Sequence, residues 1–145
     1  MPKYQKILLA VELLSDTDKV LVKKAQTLVG EGQAQLYLIH AVEHLSSYGA
    51  AYGISAGVDV EEMLLNEMKK SMSTLGAELK IPKERQIVKV GPAKFVILEE
   101  ADRLHADLIV VGSHGRHGVR LLLGSTANAI LHGAKCDVLA VRVQE

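Results

Sequence analysis

Only one cysteine, Cys136, occurs among the 145 residues, so no disulfide can form within the chain. Charge of either sign is not in excess: 17 basic residues balance 17 acidic ones, which removes the broad positive field that nonspecific nucleic-acid binding requires. Nucleic acid is therefore not an expected partner. No apolar run approaches the roughly 18 residues of a membrane-spanning helix, and no membrane association is expected. The opening MPKYQKILLAVE lacks the apolar core and small-residue cleavage site of a signal peptide, which points to a reducing cytoplasm. Two catalytic loops are missing as well. There is no Gly-x4-Gly-Lys-Ser/Thr loop to grip nucleotide phosphates with a lysine, so any ATP hydrolysis should be slow. Ser113 and Ser125 have histidines nearby, but neither sits in Gly-x-Ser-x-Gly and no carboxylate is evidently placed to orient a histidine. Efficient catalysis is not expected.

What is present is an alternation. Lys6–Glu12, Ala34–Val42, Gln86–Val90, Asp107–Val111 and Asp137–Val143 are short apolar runs, most of them rich in β-branched residues, and they predict five strands. The first, second and fourth are nearly continuous in apolar residues, as strands covered on both faces are; the last admits Arg142, as an edge strand can. Amphipathic segments of helical length lie between them, at Asp16–Val29, Val58–Leu79, Ala93–Leu104 and Thr126–His132. Ser15 and Asp16 are candidate caps of the first. In the second, Met63, Leu64, Met68, Ser71 and Met72 recur at helical spacings and predict a core-facing stripe. The small, polar, glycine-rich stretch Glu43–Gly57 reads as a long loop. Strand alternating with helix predicts a single α/β domain over residues 1–145, with a parallel sheet, right-handed crossovers and helices on both faces.

The stretch VVGSHGRHGVRLLLGSTANAIL, Val110–Leu131, concentrates the chemistry. It joins a buried strand to a helix through a loop that carries Gly112, Gly115, Gly118 and Gly124, followed by Ser125 and Thr126. Glycine lets the backbone approach a ligand closely, and Gly-Ser-Thr opening a helix offers free N–H groups and hydroxyls where the helix dipole favours an anion. A phosphate cradle and a plain connection are both compatible with the loop alone. In an open parallel sheet, ligands bind beyond the carboxyl ends of the strands where their order reverses, and Glu12, Ala41 and Gly112 stand at three such ends.

KILLAVE at the start, LYLIHAVE in the second strand, ADLIVVGSHGR and LLLGSTANAIL around the loop, and CDVLAVRV at the end together resemble the single-domain members of the universal stress protein family. The resemblance covers essentially the whole chain. It implies an open, Rossmann-like sheet of the adenine nucleotide alpha hydrolase type, with strand order 3-2-1-4-5, in a homodimer. It further implies an adenine nucleotide, ATP or AMP, with Mg²⁺ accompanying ATP, acting in a sensor or regulator. By position, Val11, Glu12 and Ala41 would border the adenine, Val111, Gly112, His114 and Gly115 would pass the ribose and phosphates, and Gly124, Ser125 and Thr126 would complete the cradle. Two departures bear on this. Eight residues separate Gly115 from Gly124, where the binding signature Gly-x2-Gly-x9-Gly-Ser/Thr has nine, and Glu12 stands where binders commonly carry Asp. A scaffold or adaptor dimer with no nucleotide is the competing reading, and client proteins are not identified.

Other constellations have plainer readings. His114 and His117 are three apart and His105 precedes them, but a metal site needs three or four converging ligands, and none is expected here. His105 fits a helix end, and His40 a buried strand. Arg116 and Arg120 flank the loop and could neutralise phosphate or keep the loop solvated. Cys136 follows Lys135, which could lower its pKa; an apolar filler at a strand start is the favoured reading. The C-terminal strand sets Val138, Ala140 and Arg142 on one face and Leu139, Val141 and Val143 on the other, leaving an apolar row beside unpaired backbone groups that predicts the homodimer edge. A proline at Val141 is expected to remove a ladder donor there.

Overall fold

A computed structural model describes residues 4–13, 15–30, 34–43, 54–113 and 124–142. The elements run β1 (Lys6–Ala10), α1 (Ser15–Val29), β2 (Gln35–Val42), α2 (Ile54–Leu79), a 3-10 turn (Lys83–Arg85), β3 (Gln86–Val90), α3 (Ala93–Leu104), β4 (Leu108–Gly112), α4 (Ser125–Gly133) and β5 (Asp137–Val141). All strand pairings are parallel and the order is β3-β2-β1-β4-β5, so the expected sheet forms in the expected order.

The period of two along each strand divides the core into two layers. Ile7 and Leu9 of β1 and Val11 just beyond it, with Leu36 and Leu38 of β2 and Val110 of β4, pack under Leu21 and Ala25 of α1 and Met72 of α2. Leu8, Ile39, Ile109 and Val111 face the other way, against Val96, Ile97 and Ala101 of α3 and Ala127 and Ile130 of α4. Both faces of the central strands are therefore apolar, which is why their sequences run as unbroken hydrophobic stretches. At the amino ends of the strands, Asp107 Oδ2 accepts the backbone N–H groups of Gln5 and Lys6, each at 2.8 Å, and closes the end of the sheet away from the glycine loop.

Two expectations fail. Helix α2 begins at Ile54, not Val58, so the segment read as loop is helical over its last four residues. Once a helix is nucleated, propagation tolerates an interior glycine such as Gly57 at a cost of about 1 kcal/mol. The stripe on α2 faces the core only in part: Met63 is 66% exposed and Leu64 37%, whereas Met68 and Ser71 are half-buried, Met72 is buried, and Leu75 and Leu79 pack beside it. Among the described residues, only the C-terminal half of α2 presents its stripe to the sheet, and Met63 and Leu64 meet no core there.

Candidate functional site

Three neighbouring strands end together at one rim. β2, β1 and β4 are registered through Leu9 opposite Leu38 and Val110, and the Val11 N–H donates to Ile39 O at 2.9 Å, which carries the pairing past the end of β1. Val11, Glu12, Ala41, Val111 and Gly112 thus meet at the carboxyl ends of the strands, at the β1/β4 position where the order reverses. They do not meet on one face. Val11 is buried in the layer beneath α1 and α2, while Ala41 and Val111 belong to the layer beneath α3 and α4. Val11 therefore borders the rim through its backbone, and Glu12 is exposed.

The two ends of the glycine loop are tied to each other. Gly124 N–H donates to Ser113 O at 3.0 Å, and Ser113 N–H donates to Val141 O at 2.8 Å, so the start of α4 is held against the end of β4. This bond also occupies the Gly124 N–H. Asn128 N–H is the first to find an intrahelical partner, Gly124 O at 2.9 Å, so among the described residues the N–H groups of Ser125, Thr126 and Ala127 are the first-turn donors without an intrahelical acceptor. Gly124 caps the helix with φ −59° and ψ 151°, values that any residue adopts. A need for glycine there comes from what approaches it rather than from the backbone. Ser125 is exposed and Thr126 half-buried, which places two hydroxyls beside the first-turn N–H groups where a helix N-terminus favours an anion. His114 and Gly115, with Arg116, His117, Gly118 and Arg120, lie outside the described residues.

Two side chains that the sequence did not single out for this rim organise it. Asp18 of α1, only 5% exposed, accepts the Glu12 N–H on Oδ1 at 2.8 Å and also bonds the Leu13 backbone. Leu13 sits at φ 62°, the left-handed region that costs a non-glycine residue free energy, so the carboxylate fixes a strained turn after β1. Burial pushes the Asp18 carboxyl above its ordinary pKa, against the lowering effect of the two backbone donors. His40 Nδ1 lies 2.8 Å from Val11 O. A carbonyl can only accept, so Nδ1 carries a proton. The side chains of Ser15 and Asp16, expected as caps, lie outside the described residues.

The remaining candidates resolve as follows. His105 ends α3 in the left-handed conformation, with φ 55° and ψ 48°. Among the described residues, no three His, Cys, Asp or Glu side chains converge as metal ligands. Cys136 is half-buried beside Val138 and Ala140, and burial first, then the carboxylates of Asp137 and Asp102, pushes its thiol pKa up rather than down. Lys135 pairs loosely with Asp102 at 3.6 Å. The thiol therefore behaves as a filler. No helix among the described residues is long and apolar enough to cross a membrane.

Residues 3–142 match the universal stress protein family. The chain is 65% identical over 144 residues to universal stress protein A homolog 2 of Coxiella burnetii, covering 99% of both chains. It is 41% identical over 143 residues to homolog 1 of the same organism, covering 98% of this chain and 99% of that one. Among solved structures, it resembles the universal stress protein UspA of Lactobacillus plantarum at TM-score 0.80 and 21% identity, over 99% and 100% of the two chains. A universal stress protein in complex with cAMP is similar at TM-score 0.61 and 23% identity, again over 99% and 100%. The likeness to these structures concerns the fold, and the family follows from the match along the sequence: the chain belongs to the universal stress protein family.

Proposed function

We propose that this protein is a cytoplasmic stress-response sensor that binds an adenine nucleotide at the carboxyl rim of β1 and β4, as a homodimer and without efficient turnover. The observation that carries the reading is the Gly124 to Ser113 hydrogen bond at 3.0 Å, which sets the first turn of α4 beside the end of β4. Phosphates would then lie against the N–H groups and hydroxyls of Ser125 and Thr126, with Gly112 and the loop carrying His114 and Gly115 alongside. The base would lie toward Glu12 and Ala41, with Val11 supplying backbone only. The fit is chemical as well as spatial: a helix N-terminus and hydroxyls suit phosphate, and an exposed carboxylate can accept from a ribose hydroxyl or an exocyclic amine. A relative in complex with cAMP supports an adenine nucleotide in this fold.

Dimerisation is assigned to the edge strand β5, with one modification. The row of Leu139 and Val141 is largely consumed by the monomer's own core, since Val141 is buried and Leu139 packs against it. What stays open is the outer backbone of the strand. Ser113 N–H donates to Val141 O, so Val141 aims its polar groups at β4, and by alternation Ala140 and Val138 aim theirs outward. Ala140, not Val141, is the position at which proline would block a partner strand.

Isothermal titration calorimetry of the purified chain with ATP, ADP, AMP and cAMP, with and without Mg²⁺, tests the nucleotide reading. Saturable heat with any of them supports it. No heat at millimolar concentration of all four would replace it with the scaffold reading, in which the shorter loop and Glu12 have closed the site.

A further inference from the structure

The far edge of the sheet carries a second surface. Between α2 and the edge strand β3 lies a groove of about 440 Å³, lined by Lys69, Lys70 and Ser73 of α2, Lys83 of the 3-10 turn, and Gln86 and Val88 of β3, with Met72 in its floor. Three ammonium groups line it, and among the described residues no carboxylate does. Lys70 meets Glu67 at 3.5 Å, with both side chains more than half exposed; such a pair is worth little and yields readily to a competing anion.

The walls are built rather than incidental. Gln86 turns back across α2 and donates from Nε2 to Ile81 O at 2.8 Å, and it can do so because Gly76 has no side chain: a Cβ there would collide with the Gln86 amide. On the opposite face of β3, Lys89 is held away from the groove by the buried Glu100, at 2.7 Å. The strand also has an open side. β3 pairs only with β2, and Gly91 N–H donates to Val42 O at 2.8 Å. By alternation Lys89 and Ile87 direct their backbone groups to β2, while Val88 and Val90 direct theirs outward. Among the described residues nothing pairs with them.

We propose that this edge binds an extended acidic segment of a partner protein. The segment would add to β3 as a further strand, bonding the outward N–H and C=O groups of Val88 and Val90, with carboxylates on the α2 face toward Lys69, Lys70 and Lys83 and the alternate apolar side chains on the opposite face of the sheet, the side of Ile87. Two observations converge on this occupant: the open strand edge calls for a backbone, and the groove beside it calls for negative charge. This surface lies two strands away from the β1/β4 rim, so it could serve a partner whether or not nucleotide is bound.

The test uses fluorescence anisotropy of the full chain with a labelled nine-residue peptide alternating Glu with Val. Saturable binding is expected, with a Lys/Val peptide of the same length not binding. N-methylation of alternate peptide bonds in one phase should abolish binding and in the other phase should not, a result that depends on no change to the protein. Charge reversal at Lys69 and Lys83 together should weaken binding roughly tenfold or more and flatten its salt dependence. Val88→Pro removes an outward donor together with a side chain that lines the groove and packs on the core, so it should abolish binding, whereas Val88→Ala, which keeps the donor, should still bind; circular dichroism checks that both variants fold. Equal binding of both N-methylated peptides, unaltered affinity after charge reversal, or binding to anionic lipid vesicles in place of the peptide would overturn the proposal.

Discussion

Asp18 Oδ1 accepts the backbone N–H of Glu12 at 2.8 Å, so the second residue beyond the first strand's end is positioned by a carboxylate buried in the first helix. Removing that acceptor takes away the partner of a part-buried donor, and Asp18→Ala should cost roughly 1 kcal/mol of stability. Asp18→Asn retains a side-chain oxygen and should cost far less. The pH dependence follows from the raised pKa: the folded state holds its proton more tightly than the unfolded state, so the Asp18 contribution to stability is greatest below the ordinary value of 3.8 and falls as pH rises through the folded pKa. Urea unfolding of the Asn variant should lack that fall. An Asn variant with the parent's pH profile would contradict it.

Glu100 behaves in the opposite sense. It is 1% exposed and bonded to Arg103 Nη2 at 2.8 Å and Lys89 Nζ at 2.7 Å. The hydrogen bonds from Arg103, followed by those from Lys89, outweigh burial and hold its pKa below the ordinary value of 4.5. The folded state therefore releases the proton more readily, and the stabilisation is full above 4.5 and disappears as pH falls through the folded pKa. Glu100→Gln should destabilise by about 1–3 kcal/mol at neutral pH and by less in acid. A variant equally destabilised at pH 7 and pH 3 would show that the pairing is not the cause.

At the other edge, Ala140→Pro should convert the proposed dimer to monomer with the intrachain ladder intact, whereas Val141→Pro should damage the fold itself, because Val141 O accepts from Ser113 N–H at the end of the fourth strand. Analytical ultracentrifugation with circular dichroism separates the two outcomes. A folded Ala140→Pro dimer would place the interface elsewhere.

Cys136 should react slowly with a disulfide reagent at neutral pH, since burial and neighbouring carboxylates favour its thiol over the thiolate. Cys136→Ala should leave stability and any ligand binding nearly unchanged. Reaction faster than that of a free thiol would restore a redox role.

The sheet and its order were legible because strands covered on both faces cannot contain polar residues, so Ile7–Ala10 and Leu108–Val111 appear as unbroken apolar runs. The family resemblance then supplied the order. The start of the second helix was not legible because Gly57 mimics a loop, and Met63 and Leu64 sit at core-like spacings on a turn that overhangs no core. Asp18 was hidden for a different reason. Its partners are backbone N–H groups several residues upstream, and a backbone donor leaves no mark in the sequence. The outward phase of Ala140 is likewise a property of hydrogen-bond direction, which a period of two in side chains cannot reveal. Of the candidate site, Val11, Glu12, Ala41, Val111, Gly112, Gly124, Ser125 and Thr126 fall where the strand ends and helix start place them, while His114 and Gly115 lie outside the description.

The central claim is that the end of the fourth strand and the first turn of the last helix hold nucleotide phosphate, and calorimetry on the parent chain beside Gly124→Val tests it most directly. Gly124 has a backbone conformation that valine can adopt, so the variant should fold and melt like the parent. The account predicts saturable heat of ATP or AMP binding for the parent and loss of binding by roughly tenfold or more for the variant, because a side chain there would meet the approaching phosphate. A variant that bound as tightly as the parent, or a parent that bound none of the adenine nucleotides, would contradict it.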